Sequence, residues 1–486
     1  MKLKLNEKTF AYELENVARM FTRELAVEIA PDDLALPDGD EDVAVAERCV
    51  FEDAQVLSAD VRINGITESG SAKLPPDAGD KAVELELAKL LFSAFSRATG
   101  RTPEWGVITG IRPAKFARRM LESQSAEEVR RTLSEKYYVS PRKASLCVET
   151  ALASMAAQSD LVDRSFSLYI SIPFCPTRCS YCSFVSKTIE REKHLVQPYV
   201  EHLCEELKYS GEIARSLGLR LESVYMGGGT PTTLNAEQLA ALCRSVGESF
   251  DMKMSREFTV EAGRPDTITP EKLAALRENG VSRISINPQT GSDSVLRAIG
   301  RAHTAADIER AFEQARTAGF DNINADLIAG LPTDTLSGFE HTLNWLLAMH
   351  PENITVHALT LKRASNMTER GESASGDATE MVALANDLLP QYGYAPYYMY
   401  KQKGTVDSLE NTGYAQPGKQ CLYNIYIMDE LHTIIACGAG AVTKLVNRRT
   451  GLINRIFDYK YPAEYLESFD EMLRRKKGMT DFYGTV

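Results

Sequence analysis

Nowhere in this sequence do apolar residues run on for the roughly 18 positions that a membrane helix requires. The first stretch, Met1 to Met20, has no unbroken apolar core followed by a small-residue cleavage site, so it does not read as a signal peptide. A cytoplasmic location with no membrane span is the expectation. Positive charge is in deficit as well. Against 67 Asp and Glu there are 55 Lys and Arg, a formal charge of −12. That balance argues against a broad nucleic-acid footprint, which needs clustered cations. A disulfide framework is missing too, because nine cysteines, an odd number, are scattered over 486 residues. Six of them (Cys49, Cys147, Cys204, Cys243, Cys421 and Cys437) stand singly and read as small buried hydrophobes. The other three fall within eight residues of one another and need a separate explanation.

A chain of this length exceeds one hydrophobic core, so two or three domains are expected. Its 44% apolar and 25% charged residues are those of an ordinary globular protein. Three textures follow one another, with expected boundaries at 1–160, 161–365 and 366–486. The first combines an acidic stretch (Pro31–Glu47), an alternating segment (Ala54–Ile63), an apolar helix pattern (Ala82–Phe95) and the turn Thr109-Gly-Ile-Arg-Pro113. Between Arg112 and Lys143 basic residues outnumber acidic ones, which fits an anion or domain contact, or the solvated helix face that charge runs usually are. The second texture alternates strand and helix. Its strands are expected at Leu168–Ile172, Ser223–Met226, Glu257–Glu261, Arg283–Ile286, Asn322–Ile328 and Asn353–His357. Repeated units of this kind give parallel strands, and six rather than eight predict an α/β fold built on a partial (β/α)6 TIM-like barrel. The third texture holds a helix (Thr379–Leu389), a tyrosine-rich strand (Tyr394–Tyr400), a loop (Gly404–Lys419) and an apolar-to-glycine stretch (Thr433–Val442). It reads as a small α+β module over one end of the barrel, as the first reads as an N-terminal α+β domain.

The three clustered thiols lie in Leu168-Tyr-Ile-Ser-Ile-Pro-Phe-Cys175-Pro-Thr-Arg-Cys179-Ser-Tyr-Cys182, on a loop after the first barrel strand, the face where such barrels carry their sites. Three thiolates can each hold one iron of a four-iron cluster and leave the fourth iron open. A zinc site is the alternative, but it would ask for a fourth Cys or His at matching distance. The nearest histidine, His194, falls in the following helix pattern.

The CxxxCxxC spacing, with aromatic Tyr181 before its last cysteine, resembles the radical S-adenosylmethionine (SAM) superfamily. The preceding Tyr-Ile-Ser-Ile-Pro-Phe is similar to the oxygen-independent coproporphyrinogen III oxidase (coproporphyrinogen dehydrogenase) family within it. The resemblance runs from about Leu168 to Val442 and implies a 4Fe–4S cluster on Cys175, Cys179 and Cys182, with SAM bound at its open iron. Matching family positions imply SAM contacts from Tyr169, Tyr181, Gly228, Gly229, Thr230, Glu261, Gln289, Arg301, Asp326, Thr360 and Val442. Glycines let backbone approach a ligand closely, and a guanidinium suits the SAM carboxylate. All of these but Arg301 are expected at or just after strand ends.

The implied reaction removes a hydrogen atom from the β-carbon of a substrate propionate. Loss of carbon dioxide and one electron then leaves a vinyl group, so that coproporphyrinogen III becomes protoporphyrinogen IX in haem biosynthesis. The implied partners are this tetrapyrrole and a reduced flavodoxin or ferredoxin type electron donor, with the chain acting as a monomer. Four substrate carboxylates call for cations, for which Lys362 and Arg363 are the first candidates and Lys401 and Lys403 the second. Phe184 stands where well-studied members carry a fourth cysteine, and a related haem-chaperone branch shares phenylalanine there. That branch also carries a His-Asn-x-x-Tyr-Trp motif, whereas this chain reads Cys421-Leu-Tyr-Asn-Ile-Tyr-Ile-Met428. Thr109-Gly-Ile-Arg-Pro113 and Leu409-Glu-Asn-Thr-Gly-Tyr-Ala415 resemble a third branch, found in anaerobic and Gram-positive bacteria with a long N-terminal domain. Two other readings stay open: a haem chaperone, with His357, Cys421 or His432 as ligand, and a different radical reaction on a tetrapyrrole.

Overall fold

The structure is a computed structural model, and it describes residues 1–22, 24–30, 34, 36, 39–182, 187–360, 375–402 and 408–484. The chain divides into two compact units, Met1–Val148 with Lys401–Leu409, and Glu149–Tyr400 with Glu410–Val486.

The first unit is built on a five-stranded mixed sheet of β1 (Lys2–Leu5), β2 (Ala26–Ile29), β3 (Val43–Val50), β4 (Gln55–Ile63) and β5 (Ile66–Leu74), in the order β2-β1-β3-β4-β5. Strict alternation along β4 buries Leu57, Ala59, Val61 and Ile63 against the helix Asp80–Thr99, which supplies Leu87, Leu91, Phe92 and Phe95 to the same core.

The second unit is carried by an eleven-stranded sheet. Six strands run parallel as neighbours: β6 (Ser165–Ile172), β9 (Arg220–Gly228), β10 (Glu257–Glu261), β11 (Arg283–Ser285), β12 (Ile323–Ala329) and β13 (Asn353–Ala358). They are the six strands expected, and helices such as Ile189–Ser216, Ala236–Ser249 and Ala305–Thr317 connect them. Two short strands, β7 (Phe174–Cys175) and β8 (Lys187–Thr188), pair beyond the end of β6.

The C-terminal stretch, expected as a module over one end of the barrel, continues this sheet at both edges. At one edge lie β14 (Ala395–Lys401) and β15 (Glu410–Ala415), the latter antiparallel to β13. At the other, β16 (Thr433–Cys437) runs parallel to β6 and is followed by β17 (Val442–Val446) and β18 (Ile453–Phe457). Strand β15 falls inside the segment expected as loop. Asn411 and Gly413 are poor strand formers, but every residue of β15 is buried. A Cβ on Gly413 would collide with the Tyr398 ring, at 1.9 Å, so glycine there admits the tyrosine rather than breaking the strand.

A buried ionic cluster fastens the loop after β16. Lys476 Nζ lies 2.9 Å from Glu206 and 3.0 Å from Asp458, with both lysine and glutamate fully buried. It also donates to the Ala436 carbonyl. Glu206 in turn accepts from Gly438 N (2.8 Å) and from Tyr465 Oη (2.7 Å). Removing one partner from such a set leaves uncompensated buried charge. Lys476→Met is therefore expected to lower unfolding free energy by about 3–5 kcal/mol, measured by urea unfolding of the purified chain. A loss below about 1 kcal/mol, the value of an exposed pair, would show the cluster to be dispensable.

Candidate active site

The C-terminal ends of β6 and β9 build the centre of the site. Gly229 N donates to the Ile172 carbonyl (2.7 Å) and Thr230 N to the Phe174 carbonyl (2.8 Å). These bonds lay the Gly227–Thr230 loop against the cysteine loop. A Cβ on Gly229 would sit 2.5 Å from the Phe174 oxygen and 3.0 Å from Cys175 Sγ, so only glycine allows this approach. Thr230 Oγ1 reaches Cys175 Sγ at 3.5 Å. None of the nine cysteines is in a disulfide; Cys179 is buried, while Cys175 and Cys182 are half-buried.

Inside the barrel, Tyr169 and Tyr225 are register partners on β6 and β9. Their rings stack at 6.3 Å, and Tyr423, on the helix Leu422–Asp429, stacks on both at 6.0 and 4.6 Å. Tyr225 Oη donates to Glu261 Oε1 at 2.6 Å. Burial, with the Asp326 charge added, raises the Glu261 carboxyl to about 7 despite that bond. Asp326 is held below its ordinary value. Burial pushes it up, but His357, 3.7 Å away, together with Asn324 and Thr355, outweighs the push. The site thus holds two carboxyls whose surroundings drive them apart.

Arg301 spans three segments. Its Nη1 donates to the carbonyls of Gly263 (3.2 Å) and Asn287 (3.3 Å), and its Nη2 to Tyr181 Oη (2.9 Å). Gln289 has a left-handed backbone (φ 69°), and its N–H and carbonyl bond to Asp326 and Ile328 on β12. A non-glycine residue in this region marks a place where surrounding structure enforces the conformation.

Of the residues expected at strand ends, Gly228, Glu261 and Thr360 lie there, whereas Tyr169 and Asp326 lie within β6 and β12. The reason is reach, since side chains of inner strand positions meet in the barrel interior. Val442 opens β17 opposite Phe457, just after the Gly438–Ala441 turn, where Ala439 accepts from Ser171 Oγ. Lys362, Arg363, Lys403 and Phe184 lie outside the described residues. Lys401 is no free cation. It is buried, with Nζ on the Ile108 carbonyl (2.7 Å) and over the Trp105 ring.

A family profile described as the Radical SAM superfamily matches residues 169–346. The oxygen-independent coproporphyrinogen-III oxidase-like protein HemZ of Bacillus subtilis is 37% identical over 482 residues, 95% of this chain and 94% of that protein. The chain belongs to the radical SAM superfamily, in its oxygen-independent coproporphyrinogen III oxidase family. Heme chaperone HemW of Bacillus subtilis is a more distant relative, 33% identical over 304 residues, 60% of this chain and 74% of that one. Among solved structures, coproporphyrinogen III oxidase HemN from Escherichia coli, a radical SAM enzyme, aligns with a TM-score of 0.53 at 23% identity, over 66% of this chain and 73% of that chain. It shares the fold.

Radical SAM membership brings a 4Fe–4S cluster and SAM, and the donor set fits both. A four-iron cluster takes one thiolate to each of three irons, and the three thiols lie on one loop. Unsatisfied buried polar atoms remain on the arginine that bonds Tyr181 and on its neighbour: Arg301 Nε and Asn287 Oδ1. Such atoms mark a place for a polar ligand.

Tyr225, Tyr423, Asn287 and Arg264 take part in the site without having been singled out for it, and His357, named only as a haem ligand, joins it beside Asp326. For Arg264 a signal existed, as a charged residue three positions after Glu261 at a strand end. The tyrosines carried none, because an aromatic in a strand or on an apolar helix is ordinary core. Two proposed haem ligands are committed elsewhere. Cys421 Sγ bonds Glu257 and burial raises its thiol. His432 is fully buried on Ser167 Oγ at 2.8 Å.

Burial lowers the His432 imidazole from 6.5 to about 3. The folded chain then refuses a proton that the unfolded chain accepts below about pH 6.5, so this stability is present above 6.5 and drains as pH falls towards 3. The decline is expected at up to about 1.4 kcal/mol per unit, by urea unfolding at several pH values between 7 and 4. His432→Gln should flatten the profile, and an unchanged slope would remove His432 as its source.

Proposed function

We propose that the chain catalyses the radical decarboxylation of coproporphyrinogen III propionates to vinyl groups, giving protoporphyrinogen IX. The observation that carries this is the meeting of the three-thiol loop, the Gly227–Thr230 loop and Glu261 at one end of the parallel strands. Cys175, Cys179 and Cys182 hold the cluster in this reading. Gly228, Gly229 and Thr230 offer backbone groups to the methionyl part of SAM, and Glu261 receives its ammonium. Arg301, Gln289, Asp326, Thr360, Val442, Tyr169 and Tyr181 line the rest of that site. When bound, the reduced cluster and SAM supply a 5′-deoxyadenosyl radical, which takes a hydrogen atom from the substrate. The protein's own part is to orient the propionate β-carbon and keep water out. The Tyr169, Tyr225 and Tyr423 stack gives one wall of the barrel the flat apolar character that excludes water. An external one-electron donor of flavodoxin or ferredoxin type reduces the cluster, and a one-electron acceptor takes up the electron released as carbon dioxide leaves.

A haem-binding role is the second reading, favoured by the HemW relatives. The commitment of Cys421 and His432 weighs against it, which leaves His357 as the ligand to test. Anaerobic turnover with SAM and a strong reductant, followed by product mass, separates the readings. Loss of carbon dioxide from the propionates, absent in a Cys179→Ala chain, is expected. A methylated product, or stoichiometric haem uptake without turnover, would overturn the proposal.

A second expectation follows from the Glu261 carboxyl. If its carboxylate receives the SAM ammonium, affinity should rise by up to about tenfold per unit as pH increases towards about 7, then stop rising as the α-amino group loses its own proton at about pH 8. Calorimetric titration of SAM at pH 6, 7 and 8 checks this, and Glu261→Gln should abolish the rise. A flat profile in the parent chain would separate Glu261 from SAM.

A further inference from the structure

Between Cys175 and Cys182 the chain forms no helix or strand of its own beyond Cys175. A backbone bond within this segment closes Cys182 N on the Cys179 carbonyl, at 3.2 Å. No helical or sheet ladder of its own sets the spacing of the three thiols. Each interval is instead tethered from outside. In the Cys179–Cys182 interval, Ser180 donates from both N (3.1 Å) and Oγ (3.2 Å) to the Ile299 carbonyl, and Tyr181 Oη accepts from Arg301. In the Cys175–Cys179 interval, Thr177 Oγ1 accepts from Arg264 Nη1 at 2.7 Å, and the Thr177 carbonyl lies 3.4 Å from the same nitrogen.

Arg264 is built for this contact. It is 3% exposed although Thr177 is exposed. Its fork closes on Asp266 through Nε–Oδ1 (3.0 Å) and Nη2–Oδ2 (2.8 Å), which fixes the guanidinium plane and leaves Nη1 facing the loop. A lysine could not hold the carboxylate bidentately and reach Thr177 together.

We infer that Arg264 is a positioning residue which, oriented by Asp266, braces Thr177 and so holds the Cys175–Cys179 interval in shape for the cluster. It acts through the loop and touches no cofactor. The inference rests on the reading of the three thiols as cluster ligands. Outer residues that orient metal ligands typically control affinity by about tenfold or more.

The test uses the full chain, reconstituted anaerobically with iron and sulfide, and follows iron release to a chelator. Thr177→Val removes one exposed hydroxyl at nearly constant volume and is expected to speed release about tenfold. Arg264→Gln should do the same, and Thr177→Ser should restore the parent rate. The double variant Thr177→Val/Arg264→Gln should release no faster than the quicker single variant, because the Thr177–Arg264 contact is already lost in each. In the chain without cofactors, amide exchange at residues 177–182 should quicken in Thr177→Val while the melting temperature stays that of the parent, a readout that a general loss of stability would not give. Parent-rate release from Thr177→Val, or multiplied effects in the double variant, would overturn the brace. A Cys179→Ala chain that kept its full iron would overturn the ligand reading itself. Iron lost from Cys179→Ala but not from Thr177→Val would remove the brace alone.

Discussion

Two backbone hydrogen bonds, Gly229 N to Ile172 O and Thr230 N to Phe174 O, carry the site. They extend the contact of β6 and β9 past the ends of both strands and press a glycine loop against a loop of three thiols. The parallel register makes this meeting unavoidable, because neighbouring parallel strands deliver their following loops to one face. The absence of a Cβ at Gly229 makes it sterically permissible. The remaining parts of the site are arranged around that contact: the Tyr225–Glu261 bond on the inner side, Arg301 and Arg264 on the outer.

The same face is secured from the opposite direction by charge. Lys476, Glu206 and Asp458 sit beneath the Gly438–Ala441 turn, which meets the end of β6 through Ser171 and Tyr199. A buried ionic set is a costly way to stabilise a fold, and its usual merit is that it admits few alternatives. Here its bonds to Gly438 and Ala436 hold a turn in one position beside the site. The catalytic face therefore rests on polar contacts at its rim and on the apolar strand core beneath it, where Leu168, Ile170, Val224 and Met226 are fully buried.

Much of this was legible beforehand, for a physical reason. Strand–helix repetition, six times over, leaves few architectures open, and three thiols in eight residues admit little besides a metal or a cluster. What escaped was whatever depends on contacts between distant segments. Strand β15 looked like a loop because Asn411 and Gly413 are judged by local propensity, whereas its identity comes from β13 and the Tyr398 ring. Lys401 looked like a substrate cation because its burial on Ile108 and Trp105 is a matter of tertiary structure. Arg264 passed unremarked because a surface ion pair with Asp266, two residues on, is the ordinary reading of such a sequence, and the Thr177 hydroxyl that gives it a purpose lies 87 residues away.

The chemistry proposed for this site turns on one hydrogen atom leaving the β-carbon of a propionate. Coproporphyrinogen III deuterated at those carbons, turned over anaerobically with SAM and a reductant, follows that atom directly. Deuterium should appear in 5′-deoxyadenosine in step with carbon dioxide and vinyl product. Vinyl product formed alongside unlabelled 5′-deoxyadenosine, or 5′-deoxyadenosine formed with the propionates intact, would contradict the mechanism.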